Sequence, residues 1–308
     1  MNVRFFTLLY VAEGIVDQTL AGGGKKLSGE DRILVYLKNC HTLNHCLKIN
    51  QLVGLTILTN KSEYLESLKK KYNLSFQVKE IAFDLDVPKN IGFYSAHFKI
   101  DAYRYLGTLA NTYSFLLDND VVCLKNMPMT MHELIDKHIA VHYAFPVCKV
   151  EKHDVNMMKY IEPSIITGEW SGGEFIGGDA VFYAELYQNI IGFADRYFKR
   201  VHEMFHQGDE MLTSIALEKM KLGGWKIIDG GMVNLIYRYY SVVENKTIES
   251  YKSWMVHLIC DKHFLAGIDC ESYQINSDFI VKYNRYFHTT MRVKKVYHAL
   301  KRKLKRHA

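Results

Sequence analysis

The chain has 308 residues, 48% of them hydrophobic, with only 4 prolines and no Ser/Gly-rich linker, low-complexity tract or internal repeat, which suits one large globular domain or two smaller ones. Its formal charge of +6 is uneven: residues 292–308, "RVKKVYHALKRKLKRHA", hold eight Lys/Arg and no acid, leaving the body at −2. No stretch reaches the ~18–20 apolar residues of a membrane span, and the 6 cysteines include no CxxC pair, which points to free thiols in a reducing compartment rather than a disulfide or zinc framework.

Val3–Tyr10 is an apolar run broken only by Arg4 and Thr7 and reads as a buried first strand rather than a signal peptide, because the apolar stretch is short and no small-residue cleavage site follows. After "AGGGKK", Ser28 with Glu30 and Asp31 forms a helix start, and Ile33, Leu34, Leu37, Cys40 and His41 continue at helical spacing. Leu55–Leu58 is a second strand ending at Thr59-Asn60, Ser62 caps a helix to Lys71, and residues 76–82 are a third strand. Residues 95–106 read as a helix and Tyr113–Leu117 as a fourth strand. Strands alternating with helices predict an open, mostly parallel α/β sheet. In such sheets ligands gather at the carboxyl ends of the strands. The second half is more mixed: "HIAVHYA", "GWKIID" and "WMVHLIC" read as strands, "GGEFIGGDAVFYAELY" as Gly-rich turns with a short strand and a helix start, and "HQGDEMLTSIALEKM" as a loop entering a helix.

The fourth strand ends in "FLLDNDVVCL". Asp118 and Asp120 either solvate a strand end or, brought together by the turn, hold a divalent cation such as Mg²⁺ or Mn²⁺ beneath a phosphate. A second D-x-D, "FDLD" at Asp84–Asp86, shows how little the bare motif decides. Lys99, in "KIDAYRYL", either faces solvent or reaches a phosphate at the same sheet edge. Gly177-Gly178 before Asp179 either makes a turn or bulge or lets the backbone approach a ligand. Asp209 and Glu210 either complement a helix dipole or act on a sugar. His257, at a strand end with Lys262 and His263 beyond it, suits a third cation ligand.

Taken in order, "KIDAYRYL", "FLLDNDVVCL", "FIGGDAVFY", "GDEML" and "VHLICDKHF" give a chain that resembles nucleotide-sugar glycosyltransferases of the GT-A fold, most closely the family-eight kind that includes bacterial lipopolysaccharide sugar transferases and glycogenin. The resemblance spans residues 3–265. It implies an α/β, Rossmann-like catalytic domain over 1–265 and an extension over 266–308 ending in a basic helix. It further implies Asp118, Asp120 and His257 as ligands of Mn²⁺ or Mg²⁺, and a UDP-sugar donor touched by Tyr10, Ala12, Glu13, Asn60, Lys99, Asn119, Gly178 and Lys262. Asp179, Asp209 and Glu210 would line the sugar pocket as catalytic acids, in retaining or inverting chemistry. The chain departs from the family where it has Gly178-Asp179 for an Asn/Gly pair and Gly208-Asp209-Glu210 for an Asp-Gln-Asp run. The acceptor would be a cell-surface glycan or a lipid-linked sugar.

In the tail, Val293, Val296, Tyr297, Leu300 and Leu304 recur at three- to four-residue spacing among Lys and Arg, the pattern of a basic amphipathic helix. The expectation is a cytoplasmic protein, peripheral on the anionic inner leaflet. Two other classes remain: a different metal-dependent nucleotidyltransferase, for which "AGGGKK" is a partial signature without P-loop spacing, and a nucleic-acid binder, which the −2 body and the lack of a binding motif disfavour.

Overall fold

The computed structural model describes residues 1–12, 29–146, 149–241 and 248–304. Its first half is a run of βα units: β1 (Asn2–Leu8), α1 (Gly29–Ile49), β2 (Leu55–Thr59), α2 (Ser62–Lys71), β3 (Gln77–Glu80), α3 (Lys99–Leu106) and β4 (Thr112–Leu117). Then come β5 (Val121–Cys123), α4 (Met129–Asp136), β6 (Ala140–Phe145), α5 (Lys152–Ile161), β7 (Trp170–Asp179), α6 (Ala180–Phe198), α7 (Asp209–Leu222) and β8 (Ile227–Asp229). The chain ends with β9 (Ile236–Arg238), α8 (Ile248–Lys252), β10 (Met255–His257), α9 (Lys262–Ala266) and α10 (Phe279–Leu304).

Seven strands form the main sheet in the order β3-β2-β1-β4-β7-β6-β8. All neighbours are parallel except β7, which runs antiparallel to both β4 and β6. The period of two along each strand divides the core between the two faces of the sheet. Phe5 and Phe115 point to one face and pack with α1, Trp254 and the small sheet β5-β10-β9. Phe6 and Leu116 point to the other, with Tyr103 of α3, Phe182 and Phe193 of α6 and Leu212 of α7. Strands buried on both faces read as largely apolar stretches, which is why β2, β4 and the second half of β1 stand out in the sequence. Ile275, Phe279, Ile280 and Tyr283, beyond residue 265, share the core of Phe5 and Phe115. Among the described residues no helix is long and apolar enough to cross a membrane.

Two elements differ from their expected form. Residues 95–106 are not one helix: a 3₁₀ turn over Tyr94–Phe98 precedes α3, and Phe93 before it has φ 52°, left-handed for a bulky residue. The Gly-rich stretch is a ten-residue strand, β7, rather than turns around a short strand. Its glycines answer packing demands: a Cβ at Gly177 would fall 2.7 Å from Phe115 Cδ1 across the β4 pairing.

The strand order also locates the cleft. From β1 the chain first builds outward through β2 to β3, then returns so that β4 pairs on the other side of β1. Such a reversal leaves a crevice outside the carboxyl ends of the two central strands. Here it lies between Leu9-Tyr10 and Asp118–Asp120.

Candidate functional site

A cleft of about 480 Å³ opens at this edge, with Tyr10, Tyr36, Lys99, Asp118, Asn119 and Asp120 in its wall. Strand register assembles it. β5 leaves β4 through a tight turn closed by Val121 N donating to Asp118 O at 3.2 Å. β5 then pairs antiparallel with β10, placing His257 opposite Val121 and therefore beside Asp120. His257 Nε2 lies 3.1 Å from Asp120 Oδ1 and 3.9 Å from Asp118 Oδ2. One donor atom from each of Asp118, Asp120 and His257 falls within 4.8 Å of the others.

Two lysines flank this trio. Lys262, in the first turn of α9, pairs with Asp120. Lys99 Nζ reaches 2.9 Å from Asp118 Oδ1, 3.3 Å from Asp209 Oδ2 and donates to Gly173 O at 2.8 Å. Burial disfavours the charge on Lys99, yet Asp118 and Asp209 outweigh it and hold its pKa well above the ordinary value. Asp120, fully inside, is likewise penalised by burial but pulled well below the usual carboxylate range by His257 and Lys262. Burial lowers the His257 pKa and Asp120 more than reverses it, with help from Glu174, bringing it up to about 9.

The charge balance shows what the site suits. Asp118, Asp120, Glu174, Asp209 and Glu210 bring five carboxylates against the fixed cations Lys99, Arg238 and Lys262. With His257 protonated, as its raised pKa implies, the carboxylates still outnumber the cations by one. A hard or borderline divalent ion held by two carboxylates and one imidazole supplies that charge, so these residues fit such an ion.

The two acids at the start of α7 are in different states. Glu210 is locked: it accepts from Trp170 Nε1 at 2.7 Å and Gly173 N at 3.1 Å and pairs with Arg238 Nη2 at 2.9 Å. Burial would raise its pKa, but Arg238 and His206 bring it down to about 2. Asp209 is 3% exposed, its Oδ2 accepts no hydrogen bond, and burial pushes its carboxyl up to about 6 despite Lys99.

Lys99, Asp118, Asn119, Asp120, His257, Lys262, Asp209, Glu210 and Tyr10 thus share one cleft. Tyr10 stacks on Phe98, ring centroids 3.8 Å apart. Asn60 is set behind the wall: its side chain accepts from Val11 N at 2.8 Å and donates to Val11 O at 3.1 Å, pinning the segment after β1. Ala12 follows that segment, half-buried, and Glu13 lies outside the described residues. Gly178 and Asp179 fall elsewhere, a correction to their expected place. Because β7 runs antiparallel, its first residues meet the carboxyl end of β4, and Asp179 pairs with Tyr113 near the opposite edge. Six residues of extended chain put Asp179 roughly 20 Å from Gly173. There it caps α6, accepting from Phe182 N at 2.9 Å, and pairs with His138 at 2.9 Å. The second D-x-D is also remote in role: Asp84 pairs with Arg104 on the surface.

Gly173 and Glu174 of β7 and Arg238 of β9 take the positions that the end of β7 was expected to fill. A Cβ at Gly173 would lie 2.7 Å from Lys99 Nζ and 3.1 Å from Asp209 Oδ2, so only glycine leaves room for that contact. The sequence carried a signal in each case, an acid within "GGEFIGG" and an arginine within "LIYRYY", both charges inside otherwise apolar strands.

No protein-family model and no curated protein sequence matches the chain. Solved structures do. The galactosyltransferase LgtC in complex with donor and acceptor sugar analogs aligns with 92% of this chain and 95% of its own, with a TM-score of 0.53 at 10% identity. The chain has the GT-A fold. Mouse xyloside xylosyltransferase 1 in its apo form aligns over 85% of this chain and 99% of its own at 11% identity, TM-score 0.49. An active-site mutant of LgtC aligns over 83% and 86% at 10% identity, TM-score 0.47. At these identities the likeness is one of fold.

Proposed function

We propose that the protein is a metal-dependent glycosyltransferase that moves a sugar from a nucleotide-sugar donor, a UDP-sugar, to a glycan or glycolipid acceptor. The observation that carries this reading is the convergence of Asp118, Asp120 and His257 within 4.8 Å, flanked by Lys99 and Lys262, at the switch point of a GT-A sheet. Asp118, Asp120 and His257 would hold Mn²⁺ or Mg²⁺, which supplies charge neutralisation for a departing diphosphate. Lys99 and Lys262 add fixed positive charge at the same place, already oriented by the acids they pair with. Tyr10, which lines the same cleft, offers aromatic surface for the nucleoside.

Asp209 is the acid we assign to the reacting sugar, because Glu210 is held by Trp170, Gly173 and Arg238 whereas Asp209, in the same cleft wall, is engaged through Oδ2 by the Lys99 ion pair. In a retaining reaction Asp209 stabilises positive charge at the anomeric carbon. Its raised pKa equally suits a base that takes the acceptor proton in an inverting one. The anomeric configuration of the product, read by proton NMR, separates the two.

Calorimetry of UDP binding tests the assignment. We expect binding that needs Mn²⁺, disappears in EDTA and collapses in Asp120→Asn. Equal affinity with and without the metal refutes it.

The last helix suits a peripheral site of action on an anionic inner leaflet. Val293, Val296 and Tyr297 of α10 are exposed in a segment that carries eight Lys/Arg and no acid. Truncation at residue 288 is expected to abolish sedimentation with phosphatidylserine-containing vesicles, and undiminished sedimentation rejects the docking role.

A further inference from the structure

Glu174 is a carboxylate in the middle of an apolar strand, 0% exposed, and the chemistry above gives it no task. A valine or leucine would serve the packing of β7 without the several kcal/mol it costs to bury a charge. Its two neighbours suggest why an acid stands there. Arg238 Nε donates to Oε1 at 2.6 Å, and Arg238 Nη2 donates to Oε2. On the other side, His257 Nδ1 lies 3.5 Å from Oε1.

That imidazole nitrogen is buried and makes no hydrogen bond in the structure, while Nε2 of the same ring faces Asp118 and Asp120. A histidine that ligates a metal through one nitrogen ordinarily gives the proton on the other to a carboxylate or carbonyl, which sets tautomer and ring orientation. Glu174 is the acid facing that nitrogen.

We propose that Glu174, anchored by Arg238, is a positioning residue: it accepts the Nδ1 proton of His257 and so presents the Nε2 lone pair to a divalent cation on Asp118 and Asp120. The inference rests on the cation site of the preceding section and extends it to two residues outside the donor trio.

The backbone is built for this arrangement. Asp118 N donates to Glu174 O at 3.1 Å, tying the acid to the first ligand. Parallel pairing of β9 with β10 sets Arg238 opposite His257. The guanidinium also lies over the Phe145 ring, 4.7 Å from its centroid, and holds Glu210. A Cβ at Gly172 would fall 2.6 Å from Arg238 Nη2, so a glycine there makes the room that the ion pair occupies. Strand register, not a loop, sets all three side chains.

The test uses the full chain and Mn²⁺ alone, titrated by calorimetry without nucleotide. Glu174→Gln is expected to weaken Mn²⁺ binding about 10–100-fold. Because this change also strips charge from the Arg238 partner, the double variant Glu174→Leu/Arg238→Met replaces the whole pair with apolar volume. We expect it to fold, by circular dichroism, and to show the same loss. Wild-type Mn²⁺ affinity in either folded variant overturns the proposal. Nitrogen-15 shifts of the His257 ring in the Mg²⁺-loaded wild type give a readout that needs no variant: a proton on Nδ1 supports the role and a proton on Nε2 overturns it. If the wild type itself binds no Mn²⁺, the cation site falls, and the positioning role with it; loss confined to the variants leaves the site standing and establishes the role.

Discussion

Replacing Asp209 by asparagine should make the protein more stable while disabling it. The carboxyl is buried against Lys99 with one oxygen that accepts no hydrogen bond, and burial raises its pKa from the ordinary 3.8 to about 6. A raised carboxylate pKa means that the folded state prefers the neutral form. The associated stability is fully present below pH 3.8, falls as the pH rises, and is lost above about 6. At pH 7.5 the ionised acid therefore costs about 3 kcal/mol, at roughly 1.4 kcal/mol per pKa unit. At pH 4.5 the same relation leaves a cost of about 1 kcal/mol. Asparagine has nearly the same shape and no charge, and Lys99 keeps Asp118 at 2.9 Å and Gly173 O at 2.8 Å. Urea unfolding of wild type and Asp209→Asn in EDTA should show the variant more stable by about 3 kcal/mol at pH 7.5, with the gap closing by about 2 kcal/mol at pH 4.5. Sugar transfer should fall while Mn²⁺-dependent UDP binding persists, the usual exchange of stability for function at a strained site. A variant no more stable than wild type at pH 7.5, or a gap that ignores pH, refutes the electrostatic account of Asp209.

Other expectations follow from the placement of single acids. Asp179→Ala removes the cap of α6 and should lower stability by about 1 kcal/mol in thermal or urea unfolding, with UDP binding and transfer unchanged; lost transfer in a folded variant would return Asp179 to the site. Asp154 is buried and accepts from Phe205 N at 3.0 Å and His206 N at 2.9 Å, fixing the segment that carries Phe205 and His206 into the cleft wall. Asp154→Ala leaves both amides without that partner, at about 1–3 kcal/mol, and hydrogen exchange at residues 205–206 should accelerate well beyond that of the core strands. Unchanged protection there would show that other contacts hold the segment.

The first half of the fold is legible in the sequence because its strands are buried on both faces and its helices follow them directly. Largely apolar stretches at β1, β2 and β4, with acids directly after β4, place the switch point and the pair Asp118 and Asp120 beside it. The distance between His257 and these acids, by contrast, is set by the antiparallel pairing of β5 with β10, two three-residue strands far apart in the chain. The sequence could suggest that histidine only through its place at a strand end, the basic residues beyond it and the family resemblance.

Strand direction marks where sequence reading stopped. Nothing in "WSGGEFIGGD" says which end meets the carboxyl edge of β4, because alternation and apolarity are the same read either way. The direction is decided by pairing with β4 and β6, and it carries Gly173 and Glu174 into the site while taking Gly178 and Asp179 away from it. The same holds for the two acids of α7. Sequence alone placed both at a helix start, where the dipole favours them equally. Only the packing of α7 against β7, with Arg238 of β9 beside it, gives Glu210 to Arg238, Trp170 and Gly173 and Asp209 to Lys99. Local residue pattern determined which elements form and which edge gathers the acids. Which acid is free to act was decided by long-range contacts, since desolvation and charge pairing depend on neighbours that the chain brings together only when folded.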